Sequence, residues 1–143
     1  MPSWRNPSRG SPKQGTPMFP EGCVIIVDDD DAVRQSLTFS LALEGFQVRA
    51  FRNGKELLAE RELPARACLV IDYCMPSLDG LALIDRLRQS AITLPAILIT
   101  AKATAEIRRR ASLCGCRAVL EKPLEDCSLA DCIRDALACG GGE

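Results

Sequence analysis

The stretch "CVIIVDDDDAVRQSL", residues 23–37, decides how this chain is read. Its first five residues form a short, mostly β-branched apolar run, the pattern of a strand buried on both faces. Asp28, Asp29, Asp30 and Asp31 follow without a break, and Val33, Leu37 and Leu41 then recur at helical spacing. Adjacent carboxylates repel, so each must stay hydrated or meet a cation. Four of them between a buried strand and a helix pose an electrostatic problem, and the rest of the chain has to supply its solution.

Working outward, strands and helices alternate. Residues 32–44 read as a helix closed by Gly45, and 46–51 as a strand; Asn53 caps a short helix running through Ala59. Residues 67–72 form a continuous buried strand ending on Asp72. "MPSLDG" (75–80) is a turn before a helix over 81–88. A strand follows over 96–100, then a Thr104-capped helix over 105–113, a strand over 117–121 closed by Lys122-Pro123, and a last helix over 127–138 with Leu129, Ile133 and Leu137 facing inward. Five strands alternating with five helices imply an α/β domain with a parallel sheet covered on both faces. Residues 1–20, rich in Pro, Ser and Gly, read as a disordered tail, 21–139 as one domain and 140–143 as a flexible end.

Composition narrows the function. The 143 residues suit one domain, and a net charge of -1 gives no push towards nucleic acid or membrane. No apolar run approaches the roughly 18 residues that span a bilayer, and no signal-peptide core follows the basic residues Arg5, Arg9 and Lys13, so the expected location is the cytoplasm. The chain has no histidine and therefore no imidazole acid, base or phosphate carrier. Of eight cysteines, Cys68, Cys132 and Cys139 sit in apolar patterns as small hydrophobes. Cys114 and Cys116 have the wrong spacing for a usual zinc pair.

In parallel α/β sheets, function gathers beyond the carboxyl ends of the strands. There stand Asp28 and Asp29, Asp72, Thr100 with Ala101, and Lys122. Converging carboxylates call for a hard cation, and an all-oxygen site with few protein ligands suits Mg²⁺. Lys122 and the Thr100 hydroxyl add a charge and a donor suited to a phosphoryl group. An aspartate can accept that group as nucleophile, giving an aspartyl phosphate.

At this point residues 23–138 resemble a response-regulator receiver domain, and the order "VDDD…D…MP…DG…TA…EKP" is similar to the FixJ-like subgroup. The resemblance implies a flavodoxin-like sheet of order 2-1-3-4-5. It implies Asp72 as phosphoacceptor, Asp28 and Asp29 as the acidic pair for Mg²⁺, and Cys74 as the residue whose backbone carbonyl is a further ligand. It makes Thr100 the switch hydroxyl, Ala101 the small residue beside it, and Lys122 the phosphate-pairing lysine, followed by a cis bond to Pro123. It also implies a two-component phosphorelay. A sensor histidine kinase or phosphotransfer protein would be the donor, an unnamed output protein the partner, and a phosphorylation-dependent dimer stays open. Such a module catalyses its own phosphorylation and dephosphorylation and is not an enzyme in the turnover sense. Asp30 and Asp31 fall instead at a helix start, where carboxylates cap free N–H groups.

Two departures qualify this reading. Many receivers carry Tyr or Phe three residues before the lysine, where this chain has Val119. FixJ-like proteins usually continue into a DNA-binding domain, and nothing resembling one follows "LACGGGE"; the expectation is a stand-alone receiver without direct nucleic-acid contact, the alternative the first part of a longer DNA-binding regulator. Two other functions remain in view: a receiver fold that binds a partner without phosphorylation, and a thiol sensor using Cys74, Cys114 and Cys116. Arg108, Arg109 and Arg110 give the fourth helix a basic side, either a solvated face or a partner contact.

Overall fold

The computed structural model describes residues 22–76, 78–124 and 128–140. Its elements run β1 (Cys23–Val27), α1 (Asp31–Leu43), β2 (Gln47–Phe51), α2 (Gly54–Leu58), β3 (Ala67–Asp72), α3 (Gly80–Gln89), β4 (Ala96–Thr100), α4 (Ala105–Leu113), β5 (Cys116–Glu121) and α5 (Ser128–Gly140). All pairings are parallel, in the order β2-β1-β3-β4-β5. The order reverses between β1 and β3, so a crevice opens at the carboxyl ends of those two strands. Asp28 and Asp72 stand at that point.

The core forms two layers because side chains alternate along each strand. Cys23, Ile25 and Val27, with Leu69, Ile71 and Leu98, face Leu57 of α2, Leu83, Ile84 and Leu87 of α3, and Ala111 of α4. Val24, Ile26, Val70, Ile97 and Ile99 face Leu37 and Leu41 of α1 and Leu129, Ile133 and Leu137 of α5. The three central strands are buried throughout, while β2 and β5, at the edges, are only partly covered. Among the described residues, no helix is long and apolar enough to cross a membrane.

Side-chain caps start four of the helices. Asp30 accepts from the amides of Ala32 and Val33, Asn53 from Glu56, Asp79 from Ala82 and Thr104 from Ile107. Each such cap stabilises its helix by about 1 kcal/mol. They also explain small shifts from the expected boundaries. With Asp30 and Asp79 as caps, α1 and α3 begin at residues 31 and 80. Phe46 does not extend β2: its amide donates to the Leu41 carbonyl to close α1, and its ring packs into the α1–α5 layer. Gly45, at φ +102°, makes the left-handed turn between them. β5 begins one residue early, at Cys116, and α5 runs through Gly140, which was expected to open the C-terminal tail. The N-terminal tail and residues 125–127 and 141–143 lie outside the described residues.

Candidate functional site

The site is built where the two central strands end. Val27 is the last residue of β1, and the Asp28 amide still donates to the Phe51 carbonyl of β2 at 3.2 Å. Asp28 is therefore held against the sheet, only 2% exposed, and its Oδ1 accepts the Asp30 amide at 2.9 Å. Asp29, beside it, is exposed. Asp72 closes β3, 5% exposed. Its strand end is pinned on both sides: the Tyr73 amide donates to Ile99 of β4, and the Gly80 amide donates to the Tyr73 carbonyl. A Cβ on Gly80 would lie 2.6 Å from the Asp72 carbonyl oxygen, so glycine is needed for α3 to pack this closely beneath Asp72.

Oxygens of Asp28, Asp29 and Asp72 can all lie within 4.8 Å of one another. Lys122 reaches in from the end of β5, with Nζ 3.1 Å from Asp72 Oδ1 and 3.9 Å from Asp28 Oδ2. The shorter contact pairs the Lys122 ammonium with the buried Asp72 Oδ1, which has no other polar partner among the described residues. One ammonium against three carboxylates leaves the cluster negative. Burial, then repulsion from Asp28, pushes the Asp72 carboxyl above the usual range, against the pull of Lys122. Burial also raises Asp28, against the Asp30 amide and Lys122. Burial would lower the Lys122 ammonium, but Asp72 and Asp28 outweigh it and its pKa is raised. A partly desolvated, net negative cluster of carboxylate oxygens fits a small hard cation such as Mg²⁺, which would take Asp28, Asp29 and Asp72 as its side-chain ligands.

Thr100 ends β4, 3% exposed. Its hydroxyl is engaged with the main chain of Lys102, accepting from the amide at 3.2 Å and facing the carbonyl at 3.3 Å. The Lys122 amide donates to the Thr100 carbonyl, and the Lys122–Pro123 bond is cis. Ala101 is exposed, and Cys74 lies in the loop two residues beyond Asp72 with its side chain in solvent. Val119 is half-buried against the α2–α4 layer.

The four acids of the opening stretch thus separate. Asp28 and Asp29 converge on Asp72, Asp30 caps α1, and Asp31 pairs with Arg34. Two neighbours were missed in the sequence. Arg34 also donates to the Asp28 carbonyl at 2.7 Å; its signal was the three-residue spacing from Asp31, which places the two on one helix face. Gly80 was read only as part of a turn. Cys114 and Cys116 fit a sensor poorly. Burial pushes Cys114 upward and Cys116 up to about 11, which leaves little reactive thiolate at neutral pH.

A parallel sheet of order 2-1-3-4-5 with acids at its switch point sets the fold and the site, and relatives supply the class. Residues 24–134 match the response regulator receiver domain family, and the chain belongs to it. It is 43% identical over 110 residues to an uncharacterized 14.6 kDa protein of Leptolyngbya boryana, covering 74% of this chain and 82% of that one. It is 32% identical over 120 residues to the transcriptional regulatory protein FixJ of Bradyrhizobium diazoefficiens, covering 84% of this chain but only 58% of FixJ. The crystal structure of FixJ-N superposes with a TM-score of 0.76 at 32% identity, covering 82% of this chain and 94% of that one. The chain is thus a receiver domain of two-component signal transduction, and it spans little more than half of that FixJ.

Proposed function

We propose that this receiver is a phosphorylation-switched module in which Asp72 takes a phosphoryl group from a histidine kinase or phosphotransfer protein and signals through a protein partner. The observation that carries this is the pairing of the buried Asp72 Oδ1 with Lys122 Nζ at 3.1 Å, inside a cluster of three carboxylates. A carboxylate oxygen at the crevice, paired with an ammonium on one side, keeps a lone pair for attack on phosphorus.

In the reaction an Asp72 oxygen attacks phosphorus, the bond from phosphorus to the donor breaks, and the donor leaves with that electron pair. Bound Mg²⁺ would offset charge on the phosphoryl oxygens. Lys122 holds Asp72 in place and meets the phosphoryl group as it arrives. The chain has no histidine, so the phosphohistidine of the relay belongs to a partner. Hydrolysis by water resets Asp72. The Thr100 hydroxyl answers the new phosphate by leaving Lys102 and donating to a phosphate oxygen, which frees the loop leading into α4. The output is then a population shift on the α4 and β5 face.

Incubation with acetyl phosphate, read by intact mass, tests this. Wild type should gain one phosphoryl group in Mg²⁺ and none in excess chelator, and Asp72→Asn should gain none while keeping its fold. A wild type that gains none, with its fold intact, would favour phosphorylation-independent binding; labelling of Asp72→Asn at the wild-type rate would mean another acceptor.

A further inference from the structure

Four successive aspartates should splay apart, yet the turn that carries them is held at every step. The Asp28 amide is tied to β2, the Asp30 amide to Asp28 Oδ1, and the Asp30 carboxylate to the amides of Ala32 and Val33. Arg34 completes the set. Its side chain is 16% exposed, one guanidinium nitrogen donates to the Asp28 carbonyl at 2.7 Å, and another pairs with the Asp31 carboxylate. Its own amide donates to the Asp30 carbonyl at 2.9 Å. Among the described residues, the Asp29 carboxylate alone of the four has no hydrogen bond or ion pair.

We propose that Arg34 is a positioning residue for the cation site, clamping the β1–α1 turn so that Asp28 and Asp29 face Asp72. Arg34 itself touches no ligand atom. It fixes the main chain of Asp28 from one side and neutralises Asp31 on the other, which removes the repulsion that would drive the turn open. This extends the reading of Asp28 and Asp29 as cation ligands and rests on it.

The sign of one measurement separates this from a simple charge effect. A cation near a Mg²⁺ site repels Mg²⁺, so deleting Arg34 should tighten binding if charge alone matters. If the clamp matters, deletion should weaken it, since losing a group that orients a metal ligand typically lowers affinity about 10–100-fold. The variants are Arg34→Met, which keeps an aliphatic stem and loses every donor, and Arg34→Lys, which keeps the charge and one reach to the Asp28 carbonyl. Mg²⁺ affinity is measured by calorimetry on the full chain, and hydrogen exchange at the Asp30 amide is followed in metal-free protein. Arg34→Met should bind Mg²⁺ about tenfold more weakly, with partial recovery in Arg34→Lys. The Asp30 amide should exchange faster in Arg34→Met, while the amides of β3 and β4 keep their protection. Equal or tighter Mg²⁺ binding in Arg34→Met, or an unchanged Asp30 amide, would overturn the proposal. A wild type that binds no Mg²⁺ would overturn both the cation reading and this inference; unchanged Asp30 exchange beside normal Mg²⁺ binding would overturn this inference alone.

Discussion

The two halves of the site are built differently. Asp28 follows β1 and Asp72 ends β3, two strands buried along their whole length; the Asp28 amide is held by β2, and the Tyr73 amide and carbonyl beside Asp72 by Ile99 and Gly80. Thr100 and Lys122 end β4 and β5. There the edge strand is only partly covered, the Thr100 hydroxyl rests on the backbone of Lys102, and the position that often carries an aromatic ring holds Val119. The acids thus form the stiff half of the site, and the softer half lies toward the partly covered β5 edge, with Lys122 beyond that strand and Thr100 on the buried strand beside it. Regions of low local stability are where switching elements are expected.

The largest effects should come from the stiff half. Asp29→Ala removes a proposed ligand that makes no other bond among the described residues and should lower Mg²⁺ affinity more than any other change in the β1–α1 turn. Asp30→Ala removes a helix cap and should cost about 1 kcal/mol of stability with a far smaller change in Mg²⁺ binding. Calorimetric titration and thermal melts measure both; equal losses of Mg²⁺ affinity would mean that the acids form one diffuse patch.

The second effect belongs to the soft half. Thr100→Ala should still accept a phosphoryl group on Asp72, because the nucleophile and its lysine are untouched. It should lose most of the amide shift changes that beryllofluoride, an aspartyl-phosphate mimic, produces in α4 of the wild type. Full shifts in the variant would move the switch away from Thr100.

The stiff half also carries a charge penalty, from burial first and from repulsion among the acids second. Asp28 and Asp72 have carboxyl pKa values raised in the folded chain, so in the window between the ordinary carboxylate value and the raised one the folded state binds more protons than the unfolded. Stability contributed there falls as pH rises and returns as pH drops through the raised values. The melting temperature of metal-free protein should therefore increase on moderate acidification from neutral pH, and Asp72→Asn should flatten that slope. Mg²⁺ should remove the same penalty at neutral pH, adding about 2.7 kcal/mol at a hundred times its dissociation constant. Lys122 acts in a different window. Its raised pKa contributes stability that is lost only as pH climbs through the lysine range.

How much of this could be read from the sequence follows the same division. The buried strands announce themselves as continuous apolar runs, so β1, β3 and β4 and the acids and hydroxyl at their ends were legible. The parallel register then brings Asp28 and Asp72 together with no further information. What the pattern could not reveal was the identity of individual partners. A caps-or-ligands choice for four identical residues depends on which amide each oxygen meets. The Arg34 contact to a carbonyl six residues back has no periodic signature, and the need for glycine at position 80 comes from a 2.6 Å approach between elements. The end of α1 shows the same limit, since Phe46 was read as strand while its amide closes the helix.

The smallest effect tests the soft half most finely. Val119 pairs in register with Leu98 of β4 and packs against the same layer as Ile107 and Ala111 of α4. It therefore lies where motion of Thr100 would be felt, but it has no group that can bond phosphate. Val119→Ala deletes two methyl groups from a half-buried site, worth about 1 kcal/mol, and should leave the beryllofluoride shifts in α4 nearly intact. Val119→Tyr places a ring at the edge and, if the ring can follow Thr100 inward, should enlarge the shifts in β5 relative to those in α4. The edge would then be a tunable coupler rather than a fixed part of the site. Loss of the α4 response in Val119→Ala would contradict this division, because it would make packing at β5, and not the Thr100 hydroxyl, the carrier of the signal.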